Sequence, residues 1–459
     1  MPSFATAPAY ATLVAVISMV AAAPSVAQSQ PADSTIQRWL AERVTNGYAT
    51  GIVVGVRDGS RDRVVAVGGA QRDGRPVGAT SFFEIGSITK VFTNILLADM
   101  VLKGEVALED PVQKFLPAGV TMPSRNGKVI TLLDLATASS GLPSIDSKMS
   151  PKDIRNPYAD YSVQQMYDFL SAHTLRRDPG ERYEYSNLGM GLLGHVLALR
   201  AGKPYEVLLR ERVLEPLGMR ETFIVMPSDK AARFAVPHDA DLEEVLPWDL
   251  PTLAGAGALR STTRDMLRFA EAVTHRDRGP LGKAIAFSIE PRRPTTNPTM
   301  RIALGWHVRE ANGRSIVWHN GGTGGFRTFF GFDPATGAHA MVWSNTSNGV
   351  DDLGLHLIDS TVARMRTPPQ INVAVPAETL RGYVGSYALA PGAAIAVTEA
   401  QGKLFVQITG QPRFRLWAES ATNFYLRVVP AKVRFTADST GAMTLTLDQG
   451  GREQRAKRQ

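Results

Sequence analysis

The sequence predicts an α/β (α+β) fold, in which an antiparallel sheet built from both ends of a large domain carries helices and an inserted helical subdomain, followed by a small all-β barrel. β-branched runs in residues 51–69 and strand-like patterns in 302–344 enclose a middle block of helical segments broken by Pro- and Gly-rich loops. After Pro368-Pro369 the pattern changes to short alternating strands with Gly-containing turns. Residues 34–365 and 371–459 are therefore predicted to form separate domains.

The composition is that of an ordinary globular protein. The chain has 459 residues, of which 44% are hydrophobic and 20% are charged, which excludes a peptide hormone, a lone small binding module and a disordered chain. The formal net charge of +7 is spread over both signs, and the basic cluster at 452–458 is predicted to be a solvated tail, so no nucleic-acid partner is expected. The absence of Cys from the sequence excludes disulfides, thiolate nucleophiles and Cys-based metal sites.

The N-terminal segment predicts export. Residues 11–23 form a small apolar run, and Ser25-Val26-Ala27 supplies the small-x-small pattern that a signal peptidase cuts, so we predict a signal peptide at 1–27. No Lys or Arg precedes the run, and a retained anchor is therefore the alternative. No later stretch has the roughly 18 consecutive apolar residues that span a bilayer. The mature protein is predicted to be periplasmic or secreted, without stable membrane insertion after processing.

The large domain is predicted to begin with a hairpin and to continue into a buried helix. Residues 51–57 and 63–69 are predicted to be two buried strands of a hairpin. Residues 87–103 are apolar on most sides, contain no Gly or Pro and stop at Gly104, which predicts a well-buried helix. Further helices are predicted at 188–201 and 261–273.

The second half of the chain is predicted to return to the sheet and then to form the barrel. Asn312-Gly313 between apolar runs predicts a hairpin turn, because both central residues of a type I′ turn need positive φ. A helix at 353–364 is predicted to end before the two prolines. The strands predicted for the sheet are 302–309, 315–319, 327–332 and 339–344. Those predicted for the barrel are 394–398, 403–408, 413–417, 423–427, 432–436 and 443–448.

Three familiar site patterns are weak or missing. The Gly-x-Gly-x-x-Gly string at Gly189 to Gly194 lies inside a helical pattern with no strand before it, so it indicates close helix packing rather than dinucleotide binding. The eight His have no metal-ligand spacing, and there is no Gly-x-Ser-x-Gly nucleophile turn. We therefore expect no metal and no organic cofactor.

The informative string is the Ser-x-x-Lys formed by Ser87 and Lys90 at the start of the buried helix. Residues three apart lie on one helix face, so the Lys amine can reach the Ser oxygen. A Ser hydroxyl needs a neighbouring base to become a nucleophile, and an amine desolvated by apolar surroundings has a lowered pKa. The helix N-terminus adds free N–H groups where an oxyanion can form. A plain helix cap with a solvated Lys is the alternative, so further signals are needed.

Two more motifs follow in the sequence: Tyr185-Ser186-Asn187 before a predicted helix and His319-Asn320-Gly321-Gly322 after a predicted strand. Together with Ser-x-x-Lys, and with the segments 135–143 and 255–269, they resemble the serine β-lactamase-related superfamily, specifically its class C β-lactamase, D,D-peptidase and esterase branch. The resemblance implies a β-lactamase/transpeptidase-like fold over the first domain. Residues 380–387 and the strand pattern after them resemble the lipocalin-like C-terminal domain of some members.

The resemblance assigns a role to each site residue. It implies that Ser87 is acylated, that Lys90 shares its proton network, and that Tyr185 is the general base and later the leaving-group acid. Asn187 would hold the substrate amide carbonyl. The backbone N–H groups of Ser87 and Gly322 would bind the oxyanion, with His319 and Gly321 in the third substrate-binding motif.

The sequence therefore predicts an exported serine hydrolase that acts on a small-molecule or peptide acyl substrate, at ester or amide bonds. The family often has Lys-Thr-Gly where this chain has His319-Asn320-Gly321, which favours D,D-peptidase or esterase activity over β-lactam turnover. We expect His319 to contact substrate and to change charge between about pH 5 and 8; the alternative is a buried structural His. A class C-type β-lactamase and a non-turnover penicillin-binding receptor remain alternatives. The barrel is expected to be a structural cap or a wall of the active-site cleft, and the alternative is a carrier for an apolar ligand. The sequence does not predict the oligomeric state.

Overall fold

The computed structural model describes residues 30–58, 61–311, 313–411 and 413–459. The predicted signal peptide at 1–27 lies outside the described residues, and so does Asn312 of the predicted hairpin turn. Among the described residues, we find no helix with the length and apolar character needed to traverse a bilayer.

Eleven α-helices and twenty strands are present in the described part of the chain. The helices are α1 Asp33–Thr45, α2 Thr89–Leu102, α3 Leu132–Ala136, α4 Val163–Ala172, α5 Asn187–Ala201, α6 Tyr205–Leu209, α7 Ala254–Gly257, α8 Thr263–Thr274, α9 Gly279–Ile289, α10 Asp351–Ile358 and α11 Ala377–Tyr383. The strands of the first domain are β1 Gly51–Asp58, β2 Arg61–Gly68, β3 Phe82–Glu84, β4 Ser124–Arg125, β5 Lys128–Val129, β6 Arg260–Thr262, β7 Arg293–Pro294, β8 Met300–Ile302, β9 His307–Ala311, β10 Arg314–Gly322, β11 Arg327–Phe332 and β12 His339–Ser344. Those of the barrel are β13 Gly385–Ala390, β14 Ala393–Ala400, β15 Lys403–Ile408, β16 Arg413–Ala418, β17 Asn423–Leu426, β18 Ala431–Ala437, β19 Met443–Gln449 and β20 Arg452–Arg458.

The main sheet has eight antiparallel strands in the order β2-β1-β12-β11-β10-β9-β8-β7. Ile52 of the first strand pairs with Ser344 of the last, so the two ends of the domain meet in the middle of the sheet. This confirms the predicted architecture. β2 is the edge strand and is mostly exposed, because its outer side has no neighbour, which corrects the expectation that both strands of the first hairpin are buried.

Helices cover both faces of this sheet. Val54 and Phe329 point to one face and pack with the buried residues of α1 and α10. Val53 and Phe330 point to the other face and join the large core that includes α2, α5 and α8. Successive residues of a strand point to opposite faces, so each central strand supplies apolar side chains to both layers. The helices of the middle block confirm the predicted inserted helical subdomain.

The Gly-x-Gly-x-x-Gly string lies inside α5, where it serves helix packing. A Cβ on Gly191 would lie 2.5 Å from Leu253 Cδ2, and one on Gly194 would lie 3.0 Å from Gly255 Cα. These distances are shorter than side chains tolerate, so only Gly allows α5 and α7 to approach this closely. The helix ends at Gly202, whose φ of +64° is a left-handed cap.

Three predicted elements have different boundaries in the structure. The strand predicted at 302–309 is broken between β8 and β9, because Gly305 adopts a φ of +71° against Asn94. The helix predicted at 261–273 begins at Thr263, since the residues before it pair with β3 as a short strand. The helix predicted at 353–364 is α10, which ends at Ile358.

The C-terminal domain is a closed barrel of eight antiparallel strands. Its core combines aliphatic and aromatic side chains, and the rings of Tyr383 and Phe435 stack there with centroids 4.2 Å apart. The prediction of a solvated basic tail at 452–458 is wrong, because this segment is β20, which closes the barrel between β19 and β13. Only Ala456 of β20 is buried, so the sequence of this strand lacks the alternation of apolar and polar residues that predicts a strand.

Candidate active site

The nucleophile candidate lies in a tight turn directly before α2. Ser87 is the middle residue of the 3₁₀ turn Gly86–Ile88, and Thr89 Oγ1 donates to the Gly86 carbonyl at 2.7 Å. Gly86 has a φ of +53°, and a Cβ there would lie 2.7 Å from the Gly322 nitrogen. The glycine therefore lets the turn that carries Ser87 approach the end of β10.

Lys90 connects the first two motifs. Its side chain is buried, and Nζ lies 2.9 Å from Ser87 Oγ, 2.8 Å from Asn187 Oδ1 and 2.6 Å from the Ala256 carbonyl oxygen. Lys90 and Asn187 are 97 residues apart in the chain, so α2 and α5 must pack together before this contact exists. The structure thus brings Ser87, Lys90 and Asn187 into one hydrogen-bonded group.

Burial favours the neutral form of Lys90. No carboxylate forms an ion pair with Lys90 among the described residues, and burial holds the pKa of its amine well below the usual range. A neutral amine has two N–H bonds and one lone pair. In that form the two N–H bonds would go to Asn187 Oδ1 and the Ala256 carbonyl, which only accept, and the lone pair would face the Ser87 hydroxyl.

Tyr185 completes the group around the nucleophile. Its ring centroid is 4.7 Å from Lys90 Nζ, and its phenol lies beside the Ser87 hydroxyl. Burial raises the pKa of the Tyr185 phenol, so the phenol stays protonated at neutral pH. This direction disfavours Tyr185 as the base of the free enzyme and is compatible with the predicted role as leaving-group acid.

The third motif places a pair of imidazoles beside Tyr185. His319 stacks on His307 with ring centroids 5.0 Å apart, and its centroid is 6.3 Å from that of Tyr185. His319 Nδ1 donates to the Asn320 carbonyl at 2.5 Å, since that oxygen can only accept, and Nε2 therefore carries the lone pair. On the far side of the pair, His307 Nε2 lies 3.2 Å from the phenol of Tyr183.

Both imidazoles are neutral around pH 7. Burial lowers the pKa of His307 to about 4, and burial together with the nearby His307 and Lys90 holds the pKa of His319 well below the usual range. The expected charge change of His319 between pH 5 and 8 is therefore wrong. Because the imidazolium would have to form in a desolvated site, His319 remains an uncharged polar group.

We expect this neutrality to appear in substrate selection. The ratio of kcat/KM for an anionic substrate to that for a neutral one should change by less than about twofold between pH 5.5 and 8, because no imidazole gains charge in that range. The measurement compares the wild type with His319→Gln. A rise of the ratio on acidification that disappears in His319→Gln contradicts this assignment.

The two predicted glycines let β10 pack against the nucleophile turn. A Cβ on Gly321 would lie 2.0 Å from the Ile85 carbonyl oxygen and 2.2 Å from Thr328 Oγ1. Gly322 follows at the exposed end of the strand, next to Gly86. Any side chain at Gly321 would push the strand away from Ile85 and so from the turn that carries Ser87.

Three residues of the site surroundings carry no clear signal in the sequence. Tyr158 lies in an irregular loop, interacts with Asn187 and packs edge-on against Trp248 with centroids 5.4 Å apart. Glu84 is buried three residues before Ser87 and accepts the Trp248 backbone N–H at 2.8 Å. Burial raises the pKa of Glu84 to about 7, although Arg260 lies 3.4 Å away. The contacts of Tyr158 and Trp248 depend on segments that meet only in the folded chain. Glu84 is close to Ser87 in the sequence, but its burial and its bond to Trp248 also depend on the fold.

Among the described residues, no group of three or more His, Cys, Asp or Glu is placed to hold a metal ion. The hydroxyl of Ser87, the Lys90 amine with its lowered pKa and the protonated Tyr185 phenol lie together. A hydroxyl with such neighbours is the kind of group that an acyl transfer uses.

Comparison with known proteins agrees with this chemistry. The model of the family described as Beta-lactamase matches residues 36–363, and that of a domain of unknown function, DUF3471, matches residues 369–458. The chain is 29% identical over 368 residues to the D-alanyl-D-alanine-carboxypeptidase/endopeptidase AmpH of Escherichia coli (strain K12), covering 73% of this chain and 92% of that protein. It is 27% identical over 418 residues to a penicillin-binding protein of Bacillus subtilis (strain 168), covering 84% and 89%.

A solved structure extends the similarity over nearly the whole chain. The octameric penicillin-binding protein homologue from Pyrococcus abyssi superposes with a TM-score of 0.62 at 19% sequence identity, covering 92% of this chain and 99% of that one. At this identity the likeness concerns the fold, including the C-terminal barrel. The family model covers more than half of the chain, and the protein therefore belongs to the Beta-lactamase family and is a serine hydrolase.

Proposed function

We propose that this serine hydrolase is an exported D,D-peptidase with esterase activity, which cleaves D-alanyl-D-alanine-type amide bonds and simple esters through an acyl-enzyme on Ser87. The observation that carries the proposal is the buried Lys90 amine, whose Nζ lies 2.9 Å from Ser87 Oγ and whose pKa is lowered by burial. The name of the AmpH relative supports the peptide class. Export rests on the predicted signal peptide.

Acylation begins when Ser87 gives its proton to the Lys90 lone pair while Oγ attacks the substrate carbonyl carbon. The carbonyl oxygen takes the negative charge and is held by the backbone N–H groups of Ser87 and Gly322. Collapse of this intermediate breaks the scissile C–N or C–O bond, and the Tyr185 phenol donates its proton to the leaving group. The Lys90 ammonium then returns a proton to Tyr185, so both groups are neutral again.

Deacylation runs through the same groups in the opposite direction. Water takes the place of the leaving group and attacks the acyl carbon, and its proton passes through Tyr185 to Lys90. The bond between Ser87 Oγ and the acyl carbon then breaks. Lys90 returns the proton to Ser87, which restores the free enzyme without a metal or an organic cofactor.

Asn187 is suited to hold the substrate. Its Oδ1 accepts from Lys90 at 2.8 Å, which orients the amide so that Nδ2 can donate. One Nδ2 hydrogen serves Tyr158, and the other is available to a substrate amide carbonyl. Removing Asn187 is therefore expected to weaken both substrate binding and the position of Lys90.

The neutral His319 supports neutral esters over substrates that carry a carboxylate, β-lactams among them. A Lys at this place would present a permanent charge to a substrate carboxylate, whereas a buried neutral imidazole presents a dipole. The binding of carboxylate-bearing β-lactams then loses a charge-assisted contact.

A side-by-side turnover assay tests the proposal. We expect steady turnover of a short-chain aryl ester and of a D-Ala-D-Ala peptide. The kcat/KM for a chromogenic cephalosporin should be lower than that for the neutral ester by about tenfold or more, because the site has no cation at His319. A cephalosporin that is the best of the three substrates indicates a class C-type β-lactamase instead. One equivalent of acylation without turnover for all three indicates a penicillin-binding receptor.

A further inference from the structure

The C-terminal barrel contacts one loop of the hydrolase domain through a compact set of polar bonds. Lys403 Nζ donates to both carboxylate oxygens of Glu243, at 2.7 and 3.0 Å, and Arg415 Nη1 donates to Oε1 of the same carboxylate at 2.9 Å. Trp417 Nε1 donates to Asp241 Oδ1 at 2.8 Å. Lys403 lies on β15 of the barrel, and Arg415 and Trp417 lie on β16.

The centre of this contact is dry and ordered. Trp417 and Asp241 are both at most 5% exposed. The guanidinium groups of Arg415 and Arg427 lie 3.6 and 3.1 Å from the centroid of the Trp417 ring, one of the stronger arrangements of cation and aromatic ring. Arg427 also donates to the Gly47 carbonyl at 3.0 Å, so the barrel is held to the hydrolase domain at a second place.

The loop that receives these bonds is itself folded tightly. Asp239 Oδ1 accepts the backbone N–H groups of Asp241 and Glu243 at 2.9 and 3.0 Å, and Leu242 has a φ of +63°. The Asp239 N–H donates to the Glu243 carbonyl at 2.9 Å. A displacement of Glu243 by the barrel therefore moves the whole turn, and not one side chain.

The same loop packs against the strand end that carries the third motif. A Cβ on Gly325 would lie 2.3 Å from Pro237 Cβ and 2.8 Å from Val245 Cγ2, and one on Gly324 would lie 2.7 Å from Trp248 Nε1. These glycines follow Gly322, the proposed oxyanion residue, by two and three positions. Side chains of the loop thus pack directly on the glycine backbone that follows Gly322.

The far end of the loop reaches the second motif. Trp248 packs edge-on against Tyr158, which interacts with Asn187, and its backbone N–H is fixed by Glu84 near Ser87. Residues 236–250, which we call the wall loop, therefore run from the barrel contact to both sides of the active site.

We propose that the barrel, the domain of unknown function, fixes the wall loop of the active site and so sets the affinity for substrates that extend beyond the scissile bond. Asp241 and Glu243 act as positioning residues, and Lys403 and Trp417 are their partners in the barrel. The inference needs only a reactive Ser87 and holds for any extended substrate, whether or not that substrate is a D-Ala-D-Ala peptide. A wall loop released from the barrel samples more positions. A substrate that lies along the loop must then order the loop on binding, and this entropic cost lowers the affinity.

The test uses single-site variants of the full chain at each side of the contact. Glu243→Gln changes the loop, Lys403→Met and Trp417→Phe change the barrel at positions remote from the nucleophile, and Lys432→Met is the matched control. Lys432 lies on β18, and its exposed side chain pairs with Glu419 of the barrel at 2.9 Å instead of with the wall loop. Two substrates are compared: a phenyl acetate-type ester and the largest substrate that the wild type turns over.

We expect KM for the large substrate to rise by about fivefold or more in each of the three test variants, while KM for the small ester changes by less than about twofold. The double variant Glu243→Gln with Lys403→Met should show less than the sum of the two single effects, because both break one bond. Lys432→Met should match the wild type. Unchanged KM values in the two barrel variants overturn the proposal, and so does an equal loss for both substrates that follows a lowered melting temperature, since that pattern indicates a structural role alone.

Failure of the proposed D,D-peptidase function is distinguishable from failure of this inference. If the D,D-peptidase proposal is wrong, the wild type turns over esters or cephalosporins and leaves the peptide intact. If the inference about the barrel is wrong, the wild type and the barrel variants have the same KM for every substrate, whichever substrate is the largest one accepted.

Discussion

Replacing Ser87 by alanine is expected to lower kcat by at least about a thousandfold, because the acyl-enzyme cannot form without the hydroxyl oxygen and only the oxyanion groups and substrate binding remain. Stability should barely change. Ser87 is a partly exposed residue in a turn, and Lys90 keeps its bonds to Asn187 and Ala256 when the hydroxyl is lost. The measurement is steady-state turnover of the ester, together with thermal unfolding of both proteins.

Intact-mass spectrometry identifies the nucleophile directly. After treatment with a β-lactam or a phosphonate, the wild type should carry one adduct, and peptide mapping should place it on Ser87. Ser87→Ala should carry none. An adduct that persists in Ser87→Ala refutes the assignment of the nucleophile.

Lys90→Met and Tyr185→Phe are expected to separate the base from the acid. Lys90→Met keeps an unbranched side chain one atom shorter than Lys and removes the lone pair that accepts the Ser87 proton, so acylation should slow by about a thousandfold for every substrate. Tyr185→Phe keeps the ring and removes the proton donated to the leaving group, which should cost about a hundredfold or more with a peptide amide. An activated aryl ester needs less protonation of its leaving group and should lose much less.

Pre-steady-state acylation with an aryl ester and a peptide measures this difference. If Tyr185→Phe slows acylation by the activated ester as strongly as Lys90→Met does, the phenol takes part in activating Ser87, and the division of roles is wrong. Asn187 and Ala256 lose a donor in Lys90→Met, and the expected loss of about 1–3 kcal/mol in stability is checked by denaturant unfolding. The activity comparison is made well below the unfolding midpoint.

The fold class was predictable because it depends on local patterns. The β-branched runs and the helical periodicity place strands at both ends and helices in the middle, and the eight-stranded sheet confirms this order. β20 was not predictable, since a strand with one buried residue has no alternating pattern of apolar side chains. The need to close the barrel, and not its own composition, makes residues 452–458 a strand.

The sequence also predicted which site residues lie together better than it predicted their charge states. Helical spacing alone puts Lys90 within reach of Ser87, and the contact at 2.9 Å follows from it. The charge of His319 is different, because a pKa depends on everything that surrounds the group. The residues that bury His319 come from separate elements, and desolvation by them keeps it neutral.

The sequence by itself determined the order of elements, the three motifs and the pairing of Ser87 with Lys90, because each of these depends on residues close together in the chain. Only the tertiary structure decided the rest. The approach of Asn187 to Lys90, the dry pair of imidazoles and the bond of Glu243 to Lys403 join residues from distant segments. Desolvation and packing depend on residues that are distant in the sequence. Neither can be worked out for a residue until its neighbours in the folded chain are known.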